Sequence, residues 1–113
     1  MHIVRVMDPV FKALADASRR LVLDSLYDKN GQTLQELCGR VSFSRQGLSK
    51  HLAVLEAAGL VVTEFEGREK KHYLNAVPIQ EIAERWIAKY SEEHLSAVSA
   101  LKKALEENND DRH

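Results

Sequence analysis

Between Thr33 and Phe65 the chain sets out two helix caps, a tight turn, a helix stop and a change of hydrophobic period, and few folds accept that order. Thr33 and Glu36 have the Thr-x-x-Glu spacing of a capping box. The short helix they open carries Leu34, Leu37, Cys38 and Val41 on one side. Ser42-Phe43-Ser44 reads as a turn, and Ser44 can cap a second helix with Phe43 and Leu48 as a hydrophobic staple. Leu48, Leu52 and Leu55 recur at four and three residues, one face of a helix, and Gly59 stops it. Two capped helices meeting at a tight turn suit a helix-turn-helix. After Gly59 the period becomes two: Val61, Thr63 and Phe65 alternate with Val62, Glu64 and Glu66. Glu66-Gly67-Arg68-Glu69 reads as a hairpin tip and Lys70 to Leu74 as the return strand. The expected fold is mainly α with a small β-hairpin, a winged helix-turn-helix whose wing is the hairpin.

The flanks supply the remaining helices. Asp8-Pro9 is expected to start a first helix with Val10, Phe11 and Leu14 on its apolar side. Asp16 can cap a second, dominated by Leu21, Val22, Leu23 and Leu26 and ended at Asn30-Gly31. Asn75 and Pro78 open a long last helix, expected over 76–107. Ile79, Ile82, Trp86 and Tyr90 line one stripe of it, continued by Val98, Leu101 and Leu105. A stripe of that length exceeds what a small domain can cover, so it implies a partner, most simply a second copy. The expected organisation is one domain: a winged-helix core over 8–74, the last helix for dimerisation, and a frayed tail over 108–113. Val10, Phe11, Leu14, Ile82, Trp86, Tyr90, Val98 and Leu101 are the expected dimer residues. For Trp86 and Tyr90, dimer packing is preferred to a cofactor box.

Composition narrows the classes. The 113 residues suffice for one domain. Cys38 is the only cysteine, which excludes an intrachain disulfide, a CxxC redox pair and a Cys-rich zinc ribbon. No run approaches the roughly 20 apolar residues of a membrane span. Asp8 and Pro9 interrupt the N-terminus before a signal-like segment develops, so a cytoplasmic location is expected. The net charge of −1 argues against a uniformly basic nucleic-acid coat. Its distribution matters more. Leu37 to Leu55 contains no acid, while Arg40, Arg45 and Lys50 give it a local +3. From Glu81 onward eight acids against five bases leave −3.

Successive helical residues turn by about 100°. With Leu48, Leu52 and Leu55 facing inward, Gln46, Lys50 and Ala53 point most directly outward. Arg45 and Ser49 lie on one flank and His51 on the other. Arg and Gln can read guanine and adenine edges bidentately. Ser44, Ser49 and Lys50 suit phosphate positioning. In the wing, Arg68, Lys70 and Lys71 are candidates for phosphate or minor-groove contact, although Glu69 weakens that patch. A solvated polar helix face and a decorated hairpin are the plain alternatives. The capped turn, the leucine stripe and the basic hairpin together favour double-stranded DNA. His51 either meets a phosphate or packs beside the core. Arg19 and Arg20 either reach the DNA backbone or form a structural salt bridge. His72 reads as a strand histidine rather than a ligand.

Over nearly its whole length the sequence resembles the ArsR-type (ArsR/SmtB) winged-helix transcriptional repressors. The resemblance is carried by DPVFKALADASRRLVLDSL, TLQELCGRVSFSRQGLSKHLAVLEAAGLV and EGREKKHYLN. It implies a homodimer held by the first and last helices, binding an inverted-repeat operator that often overlaps its own promoter, and usually repressing. Many members release DNA on binding a metal or metalloid. Thiol-based sensors of the family carry Cys-x-Cys in an ELCxC context; here Glu36-Leu37-Cys38-Gly39-Arg40 keeps the first thiol and has Arg40 at the second. One thiolate gives a soft metal little selectivity. His94 follows Glu92 and Glu93 on the last helix, but no His or Asp recurs at one-turn spacing as zinc and nickel sites require. No metal site and no cofactor are expected, Cys38 is read as a small, buried apolar filler, and the inducer is left unknown. Neither a phosphate loop, an HExxH nor a nucleophile elbow is present, so an enzyme is not expected. The alternatives are a metal-responsive repressor of the same family and a winged-helix protein-interaction module.

Overall fold

The computed structural model describes residues 2–87 and 92–110, with the side chains of 7–86 and 98–107. The chain separates into two units, residues 1–80 and 81–113. The first contains α1 (His2–Leu14), α2 (Ala17–Asp28), α3 (Leu34–Cys38), α4 (Arg45–Ala57) and an antiparallel hairpin of β1 (Val61–Glu66) and β2 (Glu69–Leu74). A helical segment, α5 (Val77–Ile82), runs across the boundary between the units, and α6 (Glu92–Asp110) lies in the second.

Core packing explains the arrangement of the first unit. Leu48, Leu52 and Leu55 of α4 are buried together with Val22, Leu23 and Leu26 of α2 and Leu37 of α3. Helix α4 packs against α1, α2, α3 and β1, which makes it the central element. Its two ends are fixed by different devices. At the start the Ser44 hydroxyl oxygen accepts from Gly47 N at 3.0 Å, satisfying one of the amides a helix leaves unpaired. At the end Gly59 adopts φ +76°, Gly59 N donates to Glu56 O and Leu60 N to Leu55 O. That is a Schellman closure, and Leu55 and Leu60, which it brings together, are both fully buried.

The capping box of α3 forms as the spacing requires: Thr33 Oγ1 accepts from Glu36 N, and Glu36 Oε1 accepts from Thr33 N, both at 3.2 Å. Asp16 caps α2 by accepting from Ser18 N at 2.8 Å and Arg19 N at 3.2 Å. Those amides lower the Asp16 carboxyl pKa, Arg19 N being the larger influence. The Glu36 pKa is lowered too, first by Thr33 N and then by Lys29.

Two expectations need correction. The first helix does not start at Asp8-Pro9; it begins at His2 and carries Pro9 inside. Met7, Val10 and Ala13 are buried at helical spacing, so the apolar face is already in use before the proline. Packing of that face outweighs the one backbone bond that proline removes. The last helix is not uniformly α over 76–107. Val77–Ile82 is α-helical, Ala83–Ile87 is a π-helical turn, and α6 continues to Asp110, inside the tail expected to fray. Tyr90, assigned to the dimer stripe, lies outside the described residues.

Candidate nucleic-acid interface

The recognition surface begins with a helix whose inner side is fully committed. Because the three leucines of α4 face the core, Arg45, Gln46, Ser49 and Lys50 stand exposed and adjacent on a shallow open surface. No ion pair to Arg45 or Lys50 occurs among the described residues. The Ser44 hydroxyl accepts from its own helix, which leaves its proton free to donate to an oxygen. His51 is half-buried, and its ring meets that of Phe43 edge-on at 5.4 Å.

The wing is built on a two-residue turn. Glu66 pairs with Glu69, leaving Gly67-Arg68 between them, and Gly67 takes φ +66°. A glycine at the first central position is the requirement of a type II′ hairpin. The sheet gains a third contributor from the α2–α3 connection. Gln32 N donates to His72 O at 3.2 Å and His72 N to Gln32 O at 2.8 Å. The His72 ring adds a contact from Nδ1 to the same carbonyl at 2.9 Å; a carbonyl only accepts, so the Nδ1–H tautomer fits. Gln32 in turn donates from Nε2 to the Ser25 and Lys29 carbonyls at 2.9 and 2.7 Å, closing the end of α2. The wing is thereby tied to the helices through a buried polar cluster.

Register divides the wing cations. Val61, Thr63 and Phe65 share a face with Leu74, His72 and Lys70, and His72 and Val61 on that face are buried. Lys70 therefore turns inward, where its Nζ stands 3.9 Å from Glu56 Oε1 of α4. Lys71 lies on the opposite face and is held by Glu66 at 2.7 Å, a bond that raises its pKa. Arg68 is exposed at the turn and has no ion-pair partner among the described residues. Arg45, Ser49, Arg68 and Lys70 line one cleft of about 510 Å³ between α4 and the hairpin, together with Glu56 and His72. Thus the structure gathers Arg45, Ser49, Arg68 and Lys70, sets Gln46 and Lys50 on the outer side of α4, and turns Lys71 away.

Sequence reasoning missed two positioning residues and left one pair open. Gln32 ties the wing to α2 and Glu56 stands near Lys70, and neither position follows a local pattern. Arg19 donates to the Ala13 and Lys12 carbonyls at 2.9 Å each, and Arg20 to the Leu14 carbonyl at 2.7 Å. Both arginines close the end of α1; Arg19 also lies 3.7 Å from Asp16. The spacing of six and seven residues is too long for helix-local pairing and too short to signal a tertiary contact.

The expected dimer residues fall into three groups. Val10 is 5% exposed and serves this chain's own core. Phe11 is exposed, Leu14 and Ile82 are half-buried, and Trp86 is exposed with the Arg85 guanidinium 5.8 Å from its ring. Val98 and Leu101 of α6 are 65% and 62% exposed, and Leu105, the next residue of the same stripe, is 57% exposed. Cys38, expected to be buried, is a half-buried free thiol, and no three His, Cys, Asp or Glu side chains converge among the described residues. No helix among the described residues is long and apolar enough to cross a membrane.

Comparison with known proteins gives this geometry its place. Residues 16–72 match the family model described as MarR family. An uncharacterized HTH-type transcriptional regulator of Bacillus subtilis, YuzN, is 42% identical over 71% of this chain and 94% of its own length. An ArsR-like transcriptional regulator from Rhodococcus superposes with a TM-score of 0.72 at 29% identity, covering 89% of this chain and 96% of that one. A homodimeric winged helix-turn-helix DNA-binding domain from Mycobacterium bovis shares the fold with a TM-score of 0.63 at 22% identity, over 82% and 87% of the two chains. The chain belongs to the DNA-binding, winged helix-turn-helix transcriptional regulators of the ArsR/MarR type.

Proposed function

We propose that the protein is a homodimeric repressor that binds a pseudo-palindromic operator and represses by occluding a promoter. The observation that carries this reading is the exposed set Arg45, Gln46, Ser49 and Lys50 on a helix fixed at both ends. Helix α4 enters the major groove, with Arg45 and Gln46 at base edges and Ser44, Ser49 and Lys50 at phosphates. Arg68 and Lys70 of the wing meet the adjacent backbone or minor groove. The exposed stripe of α6 and Phe11 supply the dimer contact, in keeping with the homodimeric fold relative. Two-fold symmetry then sets half-sites about one helical turn apart or a multiple of it. Repression is taken from the family resemblance. The regulator in this reading does not sense metal, since its single thiol is Cys38 and the second family position is Arg40.

Fluorescence anisotropy with DNA from the upstream region, at several salt concentrations and with metals added or chelated, tests the reading. Specific binding that weakens steeply with salt and ignores metal is expected. Binding abolished by metal overturns the metal-free part. For the dimer, Leu101→Glu is expected to give a monomer by sedimentation velocity; a variant that stays dimeric places the interface elsewhere.

A further inference from the structure

The inner face of the wing leaves one large apolar side chain uncovered. On that face Val61 and His72 are buried, Thr63 is half-buried and Lys70 is drawn to Glu56. Phe65, opposite Lys70 in the ladder, is 73% exposed. A phenyl ring held in water three residues from the wing's Arg68 contributes little to the fold. It is continuous with the surface already described, because Lys70 beside it lines the cleft shared with Arg45, Ser49 and Arg68.

We propose that Phe65 is a DNA contact whose ring enters the minor groove flanking each half-site and packs on the deoxyribose walls. This rests on the DNA-binding reading above and adds a second kind of recognition to it. With α4 in a major groove about 12 Å wide, the hairpin that follows it reaches the adjacent minor groove, about 6 Å wide. A ring fits that width, and apolar wedges including Phe are used in minor grooves. Charge complementarity agrees. Glu64 and Glu66 lie on the opposite face of the hairpin, while Arg68 at the turn and Lys70 on the same face are cationic. Sugars carry no base identity, so Phe65 reads groove width, favouring the narrow grooves of A-tracts.

An uncharged ring releases no counterions, which separates its signature from that of a phosphate contact. The test uses the full-length protein and a site selected from a random duplex library. Phe65→Ala is expected to weaken binding by about tenfold through lost apolar burial, with the slope of affinity against salt unchanged. Arg68→Ala is expected to lower that slope by about one. Hydroxyl-radical footprinting, which reads deoxyribose accessibility, is expected to lose protection in the flanks of the Phe65→Ala complex. Guanine N7 protection under α4 should persist. Phe65→Leu is expected to retain most of the affinity, and because position 65 is exposed, all variants should melt like the parent. Phe65→Ala that binds like the parent with an intact footprint overturns this inference alone. A parent protein with no salt-sensitive, specific binding overturns the underlying reading and this inference with it.

Discussion

Helix α4 and the wing lie on the same cleft, yet they hold their functional side chains in opposite ways. Helix α4 is anchored by three buried leucines and closed at both ends, and its cations Arg45 and Lys50 have no ion-pair partner among the described residues. The hairpin is anchored by fewer buried groups, Val61 and His72, and two of its cations are engaged with acids, Lys70 with Glu56 and Lys71 with Glu66. A base-reading element needs rigid side-chain origins and undivided charge. A backbone-tracking element tolerates partial neutralisation, because phosphate attraction is diffuse and screened by salt. Under the proposed DNA-binding reading, this difference would leave sequence discrimination to α4 and shape and charge to the wing.

The largest effect should come from loosening the anchor of α4. Leu48 is fully buried, so Leu48→Ala is expected to cost about 3 kcal/mol by denaturant unfolding, from lost transfer energy plus a cavity. A cost below about 1 kcal/mol would show that the site collapses and that α4 is held mainly by its caps. Next is Gln46→Ala, which removes a side chain but no packing, since Gln46 is exposed. It is expected to reduce discrimination at one base pair by about 1–3 kcal/mol while leaving non-specific affinity intact. An unchanged preference profile removes Gln46 from base readout and moves discrimination to Arg45.

How far these elements were legible depends on the reach of each signal. The capping box, the Ser44 cap, the glycine stop and the period-two wing are local, and each formed where its spacing placed it. The start of α1 was misplaced because Pro9 is a strong local signal, overridden by burial of Met7 and Val10, which only the tertiary fold reveals. The π-helical turn at Ala83–Ile87 left no mark in the hydrophobic stripe, because the four-residue spacing of Ile82 and Trp86 is also that of an α-helix. In the candidate site, the outward set of α4 followed from helical rotation alone. Lys70 and Lys71 were read as one patch; strand alternation puts them on opposite faces, and which of them meets Glu56 depends on the register and the position of α4. Gln32 could not be singled out, since its role as a buried link between α2 and the wing depends on a bridge forty residues long in sequence.

Smaller effects should separate the caps from the core. Ser44→Ala removes the acceptor for Gly47 N and is expected to cost about 1 kcal/mol. Its effect on DNA affinity should exceed that stability loss if the hydroxyl also donates to a phosphate. Asp16 offers a test by pH. Its pKa is lowered in the folded chain, so its contribution is present above the unfolded value and lost as pH falls through the folded one. Asp16→Asn keeps a capping acceptor and removes the titration, and is expected to flatten the acid limb of thermal stability with little change near neutrality. An unaltered acid limb would assign it to other carboxylates, Glu36 first, whose pKa is lowered as well.

The smallest expected effect is the sharpest test of the division within the wing. Lys71 is bonded to Glu66 on the face away from α4, and that bond raises its pKa. Lys71→Ala is therefore expected to change DNA affinity by no more than about twofold, as for an exposed ion pair far from its target. Lys70→Ala removes a charge on the cleft side and should weaken binding more, with a shallower salt dependence. Glu66→Gln frees Lys71 and removes one negative charge from the wing, so it should raise affinity at low salt and lose that gain at high salt. Lys71→Ala weakening binding as much as Lys70→Ala would mean that both faces of the hairpin meet DNA. The contrast between a free-charged α4 and a half-neutralised wing would then describe only the unbound protein, with the Lys71–Glu66 bond exchanged for a phosphate contact in the complex.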